Sequence, residues 1–151
     1  MNTPETYKNI EVDGRKFRLK KMDARTASYI LFTKGLSLIT PLLKNIKFDS
    51  IDNFQISDLD ISLLSDALNN ISEKDFRFIQ DNALQTVYEI LDAGEAPVLN
   101  ANGSWGINDI AFNGALIMTL TIQSLYFNIK GFFPESLLES LRQKLTSPQP
   151  N

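Results

Sequence analysis

The sequence predicts a mainly α-helical single domain of about five helices that carries two small β-hairpins. Three observations lead there. Apolar residues recur at three- and four-residue spacing over much of the 151-residue chain. Two short apolar runs flank an Asp-Gly and an Asn-Gly pair, the dipeptides that tolerate the positive φ of tight hairpin turns. A stretch from Ile110 to Ile129 contains no charged side chain, as a central helix enclosed by others would.

The elements follow in chain order. Residues Tyr7 to Val12 and Arg15 to Lys20 flank Asp13-Gly14 and predict the first hairpin. Ile10, Val12, Phe17 and Leu19 fall on one face of it, and Lys16, Arg18 and Lys20 on the other. Asp23 is the expected N-cap of a helix from about Ala24 to the early forties, with Ala24, Ala27, Leu31, Gly35, Leu38 and Leu42 as its stripe. Pro41 ends or kinks it. A loop rich in acid follows, and a second helix is expected from about Asp58 to Asn70.

Ser72-Glu73-Lys74-Asp75 is arranged as a cap with acids in the first turn, where the helix dipole favours them. The third helix then takes Phe76, Ile79, Ala83, Val87, Ile90 and Leu91 as its buried side and is closed by Gly94. Ala96 to Ile107 reads as the second hairpin around Asn102-Gly103, with Trp105 packed against the helices. Asn108 or Asp109 would cap the long uncharged helix. Gly131 stops that helix, and Pro134 suits the first turn of a last short helix to about Leu145. Residues 1–145 are read as one domain and 146–151 as a flexible tail.

Composition excludes several functions. The chain has neither cysteine nor histidine, which removes thiolate chemistry, the commonest general base and the commonest metal ligand. There is no phosphate-binding glycine loop. Asp49, Asp52, Asp58 and Asp60 lack the glycine and terminal glutamate of a calcium loop. No catalytic residue, metal or cofactor is expected. A net charge of −3 has the wrong sign for a nucleic-acid binder. Asn113, Thr119, Thr121, Gln123, Ser124 and Asn128 make Ile110 to Ile129 a poor membrane span.

The charge is uneven. Seven cations stand against three acids between Lys8 and Arg25, a net +4 that leaves −7 on the remainder. The cationic hairpin face, Lys16, Arg18 and Lys20, is therefore a candidate docking edge. Phe132 and Phe133 are candidate partner anchors, because aromatic side chains dominate protein interfaces. The helix from Ile110 to Ile129 is apolar on both sides and few other long helices are available to cover it, which predicts homo-oligomers in the form of rings or open spirals.

The order of the pieces is more specific than any one of them. A hairpin ending Gly14-Arg15-Lys16-Phe17-Arg18-Leu19-Lys20-Lys21-Met22-Asp23-Ala24-Arg25 runs straight into a helix. A helical middle follows, then a hairpin with Asn102-Gly103-Ser104-Trp105. Last comes an uncharged helix ending Ser124-Leu125-Tyr126-Phe127-Asn128-Ile129-Lys130-Gly131-Phe132-Phe133.

Over nearly the whole chain this resembles the tail assembly chaperones of long-tailed bacteriophages and prophages. The resemblance implies a protein of the infected or lysogenic host's cytoplasm that coats the tape measure protein and helps tail tube subunits assemble around it. It also implies absence from the mature virion, and in many members a longer form made by frameshifting. It supplies no active-site residues. The alternative is a structural tail completion or connector protein retained in the virion.

Overall fold

The computed structural model describes residues 6–35, 61–69 and 71–130. Strands β1 (Tyr7–Val12) and β2 (Arg15–Lys20) form the predicted hairpin, with Ile10 opposite Phe17 and Val12 opposite Arg15. Asp13 and Gly14 both take positive φ, +53° and +76°, which matches the turn to the twist of the strands. Ile10, Val12, Phe17 and Leu19 are buried on one face, as their alternation requires.

Helix α1 (Ala24–Ile30) starts where expected, with the Asp23 carboxylate accepting from Thr26 N at 2.9 Å. It passes into a π-helical turn at Leu31–Gly35. Ala27, Ile30 and Leu31 are its buried residues, whereas Ala24 is exposed. Helix α2 covers Ile61–Asn69. Helix α3 (Glu73–Leu84) opens on the predicted cap, with Ser72 Oγ accepting from Asp75 N at 3.1 Å.

Beyond Leu84 the structure overturns the mainly α reading. Val87, Ile90 and Leu91 do not continue α3. They lie in strand β3 (Val87–Leu91), which pairs with β2 on one side and with β4 (Gly94–Pro97) on the other. The described residues therefore hold a four-stranded antiparallel sheet in the order β1-β2-β3-β4, and the fold is α+β, with helices packed against a sheet.

The reason is a coincidence of periods. Val87, Ile90 and Leu91 fit a helical stripe, but Val87 and Glu89 also fit a strand with alternate residues buried, and both are. Thr86-Val87-Tyr88 is β-branched and aromatic, which favours a pleated surface. The inner edge of β2 also needed a partner for its backbone groups, and Leu19 meets Val87 there. Gln85 N and Thr86 N close the helix onto Asp81 O and Ala83 O. Gly94, with φ +133°, opens β4 after the Asp92-Ala93 turn and does not end a helix.

The second hairpin is also smaller than expected. Asn102-Gly103 is a turn, but the flanking chain makes only an isolated Leu99–Trp105 bridge, closed by Asn100 N to Ser104 O at 2.8 Å. Trp105 packs against the core and is only partly buried. Trp105→Ala is accordingly expected to cost about 1.5–2.5 kcal/mol by denaturant titration, below the roughly 3–5 kcal/mol of a fully buried tryptophan.

Residues Asn108–Phe112 form a short 3₁₀ helix, and helix α4 (Gly114–Lys130) follows. The cap of α4 is Asn113, whose Oδ1 accepts from Leu116 N at 3.2 Å, and neither Asn108 nor Asp109 takes that role. The 3₁₀ turn consumes the first candidates before the α-helix begins.

Helix α4 joins two core clusters. Ile122, Leu125, Tyr126 and Ile129 pack with Met22, Ala27, Ile30, Leu31, Ile79 and Ala83. Leu116, Leu120 and Phe127 pack with Phe17, Leu19, Leu84, Val87 and Ile110 behind the sheet. Every residue from Thr119 to Ile129 is buried, so both apolar sides of the helix are covered there, whereas Ala115 is exposed and Ile117 and Met118 are only partly buried in its first turns.

Its buried polar groups are placed to bind. Asn128 Oδ1 accepts from Met22 N at 3.0 Å, its Nδ2 donates to Ser124 O, and Ser124 Oγ donates to Ala83 O at 3.0 Å. Lys21 Nζ donates to Phe127 O in the last turn and lies 4.0 Å from the Phe127 ring centre. Among the described residues no helix is long and apolar enough to cross a membrane.

Candidate partner-binding surface

One face of the sheet packs on α4 and the other points outward. The outward face carries Asn9 opposite Arg18 opposite Tyr88 opposite Pro97, with Tyr7 opposite Lys20 beside that row. The three cationic candidates are brought together here, but only partly as free charge. Arg18 donates to Asn9 Oδ1 at 2.9 Å, pairs with Glu95 and lies over the Tyr7 ring at 4.8 Å. Lys20 bonds Glu95 at 2.8 Å and stacks on Tyr88 at 4.1 Å. Lys16 is exposed and sits opposite Glu11 in the register. The cationic edge is thus largely engaged in holding β1, β2 and β4 together.

These bonds set the response to acid. Lys20, and after it Arg18, holds the Glu95 carboxyl below the usual carboxylate range. The Thr26 donors do the same for Asp23, and Arg15 does so for Asp109. A carboxylate with a lowered folded pKa contributes stability above its unfolded value of about 4, and that contribution is lost as pH falls through the folded value. Denaturant midpoints measured from neutral pH downward are expected to fall below about pH 4. The fall should be shallower in Glu95→Gln, which no longer has that proton to take up.

On the inner face of the sheet, at the turn end of β2, Arg15 clamps two acids. Its Nε lies 2.5 Å from Glu89 Oε2 and its Nη1 2.6 Å from Asp109 Oδ2. Those hydrogen bonds, Glu89 first and Asp109 second, raise the guanidinium pKa further above its ordinary value. Glu89 is buried at 5% exposure on the inner sheet face, whereas Asp109 is open to solvent. This cluster ties β2 and β3 to the 3₁₀ helix. Its donors and acceptors face one another, so it is a structural clamp.

A different surface carries three of the exposed aromatic groups. Tyr29, Phe32 and Phe78 are 60%, 69% and 44% exposed, and the Tyr29 and Phe78 rings meet edge to face at 5.7 Å. Tyr29, Thr33, Lys74, Asp75, Phe78 and Ile79 line a groove of about 340 Å³ between α1 with its π turn and the first turns of α3. Its floor is Ile79, which belongs to the core, and its rim carries Lys74 and Asp75. The arrangement suits an apolar ligand held by aromatic walls with charged groups at the edge.

The model of the family described as phage tail assembly chaperone protein, TAC, matches residues 13–141. This chain belongs to that family. Comparison with curated proteins and with solved structures returned no match.

The match runs from the first hairpin turn past α4, so strands β2 to β4 of the tail assembly chaperone and both core clusters, apart from Ile10 and Val12, lie inside it, and β1 precedes it. Of the residues singled out by sequence, the structure gathers Lys16, Arg18 and Lys20 on one face. Phe132 and Phe133 lie outside the described residues, as do the acidic cluster Asp49 to Asp60 and the last helix. Sequence reasoning missed Tyr29, Phe32 and Phe78. One signal was available, since Tyr29 and Phe32 are three apart and fall off the Ala27–Leu31 stripe.

Proposed function

We propose that this tail assembly chaperone binds the tape measure protein and tail tube subunits reversibly in the host cytoplasm, without catalysis, and leaves before the virion matures. The observation that carries the reading is the aromatic groove walled by Tyr29 and Phe78, with Phe32 exposed three residues after Tyr29. A protein that exposes two touching aromatic rings over a core residue, and a third on the same helical run, has a surface suited to apolar partners. Burial there is non-directional, so similar helical segments along a long partner can be held without reading one sequence. Lys16 on the outer sheet face adds a charge that steers encounter, and further copies of the chain can share one long partner.

Co-expression with the tape measure protein tests this. The wild-type chain should keep it soluble. Phe32→Asp with Phe78→Asp should weaken the complex by at least about tenfold, as loss of two aromatic anchors does. Lys16→Glu should slow association with little change in stability, since isolated surface changes move it by less than about 0.5 kcal/mol. Lys16 is the clean probe, because reversing Arg18 or Lys20 also breaks the contacts to Glu95. Stoichiometric recovery of the chain from purified virions would instead identify a structural tail subunit.

A further inference from the structure

The chain contains two Asn-Gly pairs, Asn102-Gly103 and Asn113-Gly114. Asparagine before glycine is the pairing most able to cyclise, because a glycine nitrogen approaches the side-chain carbonyl with no Cβ in the way. The fold treats the two pairs differently.

Asn102 and Gly103 lie in an exposed turn. Asn102 Oδ1 accepts from Ser104 N at 3.0 Å and from Ser104 Oγ at 2.6 Å. The first of these is an Asx turn, which folds the side-chain carbonyl back over the peptide that follows. Ser104 Oγ in turn accepts from Asn100 Nδ2 at 3.1 Å, so its proton is directed to Asn102. Two donors therefore face the oxygen on which negative charge builds when a nitrogen attacks Cγ. Gly103 has φ +88° and open space around its Cα. Its N–H is held only by Asn100 O at 2.9 Å, a turn bond exposed to water.

Asn113 is half-buried and builds the start of α4. Its Oδ1 faces one donor, Leu116 N, and its main-chain carbonyl accepts from Ile117 N at 3.0 Å. Drawing Gly114 N toward its Cγ would take apart the first turn of the helix on which both core clusters rest.

We propose that Asn102 is a self-modification site of the folded protein, and that Asn113, with the same dipeptide, is protected. The Gly103 nitrogen attacks Asn102 Cγ. The new N–Cγ bond forms as Cγ–Nδ2 breaks, and the Gly103 amide proton leaves with the side-chain nitrogen as ammonia. Water, the only co-reactant, then opens the succinimide to isoaspartate or aspartate. Isoaspartate adds a main-chain carbon to the turn that holds the Leu99–Trp105 bridge, so the Trp105 environment changes with it. This assignment is independent of the proposed partner.

The test is timed incubation of the folded full-length chain in mildly alkaline buffer. Peptide mapping and enzymatic methylation of isoaspartate locate the product. Asn102 should convert while Asn113 stays intact, and in denaturant the two should convert at comparable rates. Ser104→Ala should slow conversion at Asn102 by about two- to tenfold in the folded state, the worth of one hydrogen bond, with no effect in denaturant. Ser104→Thr, which keeps the donor, should retain the wild-type rate. Equal conversion of both sites in the folded protein overturns the assignment. So does an intact folded Asn102 after the denatured chain has converted. An unchanged folded-state rate in Ser104→Ala overturns the role of the hydroxyl.

Discussion

Arg15→Ala is expected to destabilise the protein by about 3 kcal/mol, because it leaves the buried Glu89 carboxylate without its cation. The loss sits at the lower end of the range for broken buried pairs. The guanidinium keeps 27% of its side-chain surface in water, and its second partner, Asp109, is 65% exposed and rehydrates readily. The cost therefore comes from Glu89. Removing both charges should show this: Arg15→Met with Glu89→Leu is expected to recover most of the stability, since apolar groups of similar volume replace a buried pair at little net cost. A double-mutant cycle by denaturant unfolding measures the coupling. Simple addition of the two single losses would show that the clamp does not act as a pair.

Phe17→Ala is expected to cost about 3–5 kcal/mol, the range for an aromatic side chain deleted from a packed core. Phe17 is 0% exposed and packs in the cluster behind the sheet with Leu19, Val87, Leu120 and Phe127. The void would open where the sheet meets α4, and a strand paired on both sides cannot move far to fill it. Phe17→Leu should lose much less, because it retains most of the volume. Equal losses for the two variants would mean that the site needs the ring itself and not its bulk.

The two changes probe different kinds of information. The burial of Phe17 was legible from alternation in the first hairpin, as was that of Ile10, Val12 and Leu19. The pairing of Arg15 with Glu89 was not, since the residues are 74 positions apart and Glu89 was assigned to a helix. That misassignment also hid the sheet. Once Val87 to Leu91 is taken as helix, β2 has no inner neighbour, and β4 has nothing to pair with.

The candidate surface divides in the same way. Lys16, Arg18 and Lys20 were correctly placed on one face by period-2 alternation, but their engagement by Glu95, Tyr7 and Tyr88 depends on strands that only the assembled sheet brings together. The aromatic groove depends on α1 and α3 meeting over Ile79.

The sequence by itself determined what is decided within a few residues. Asp13-Gly14 makes its turn because both positions accept positive φ, and Asp23 and Ser72 start helices because their side chains reach amides three positions on. It also determined the uncharged character of α4 up to Ile129 and, through the order of its segments, the family. The tertiary structure alone decided whether the chain after Leu84 is helix or strand, which residue caps α4, and which aromatic rings stay outside. Local periodicity allows both answers at Val87, Ile90 and Leu91. The unpaired backbone of β2 and the space behind Phe17 admit only the strand.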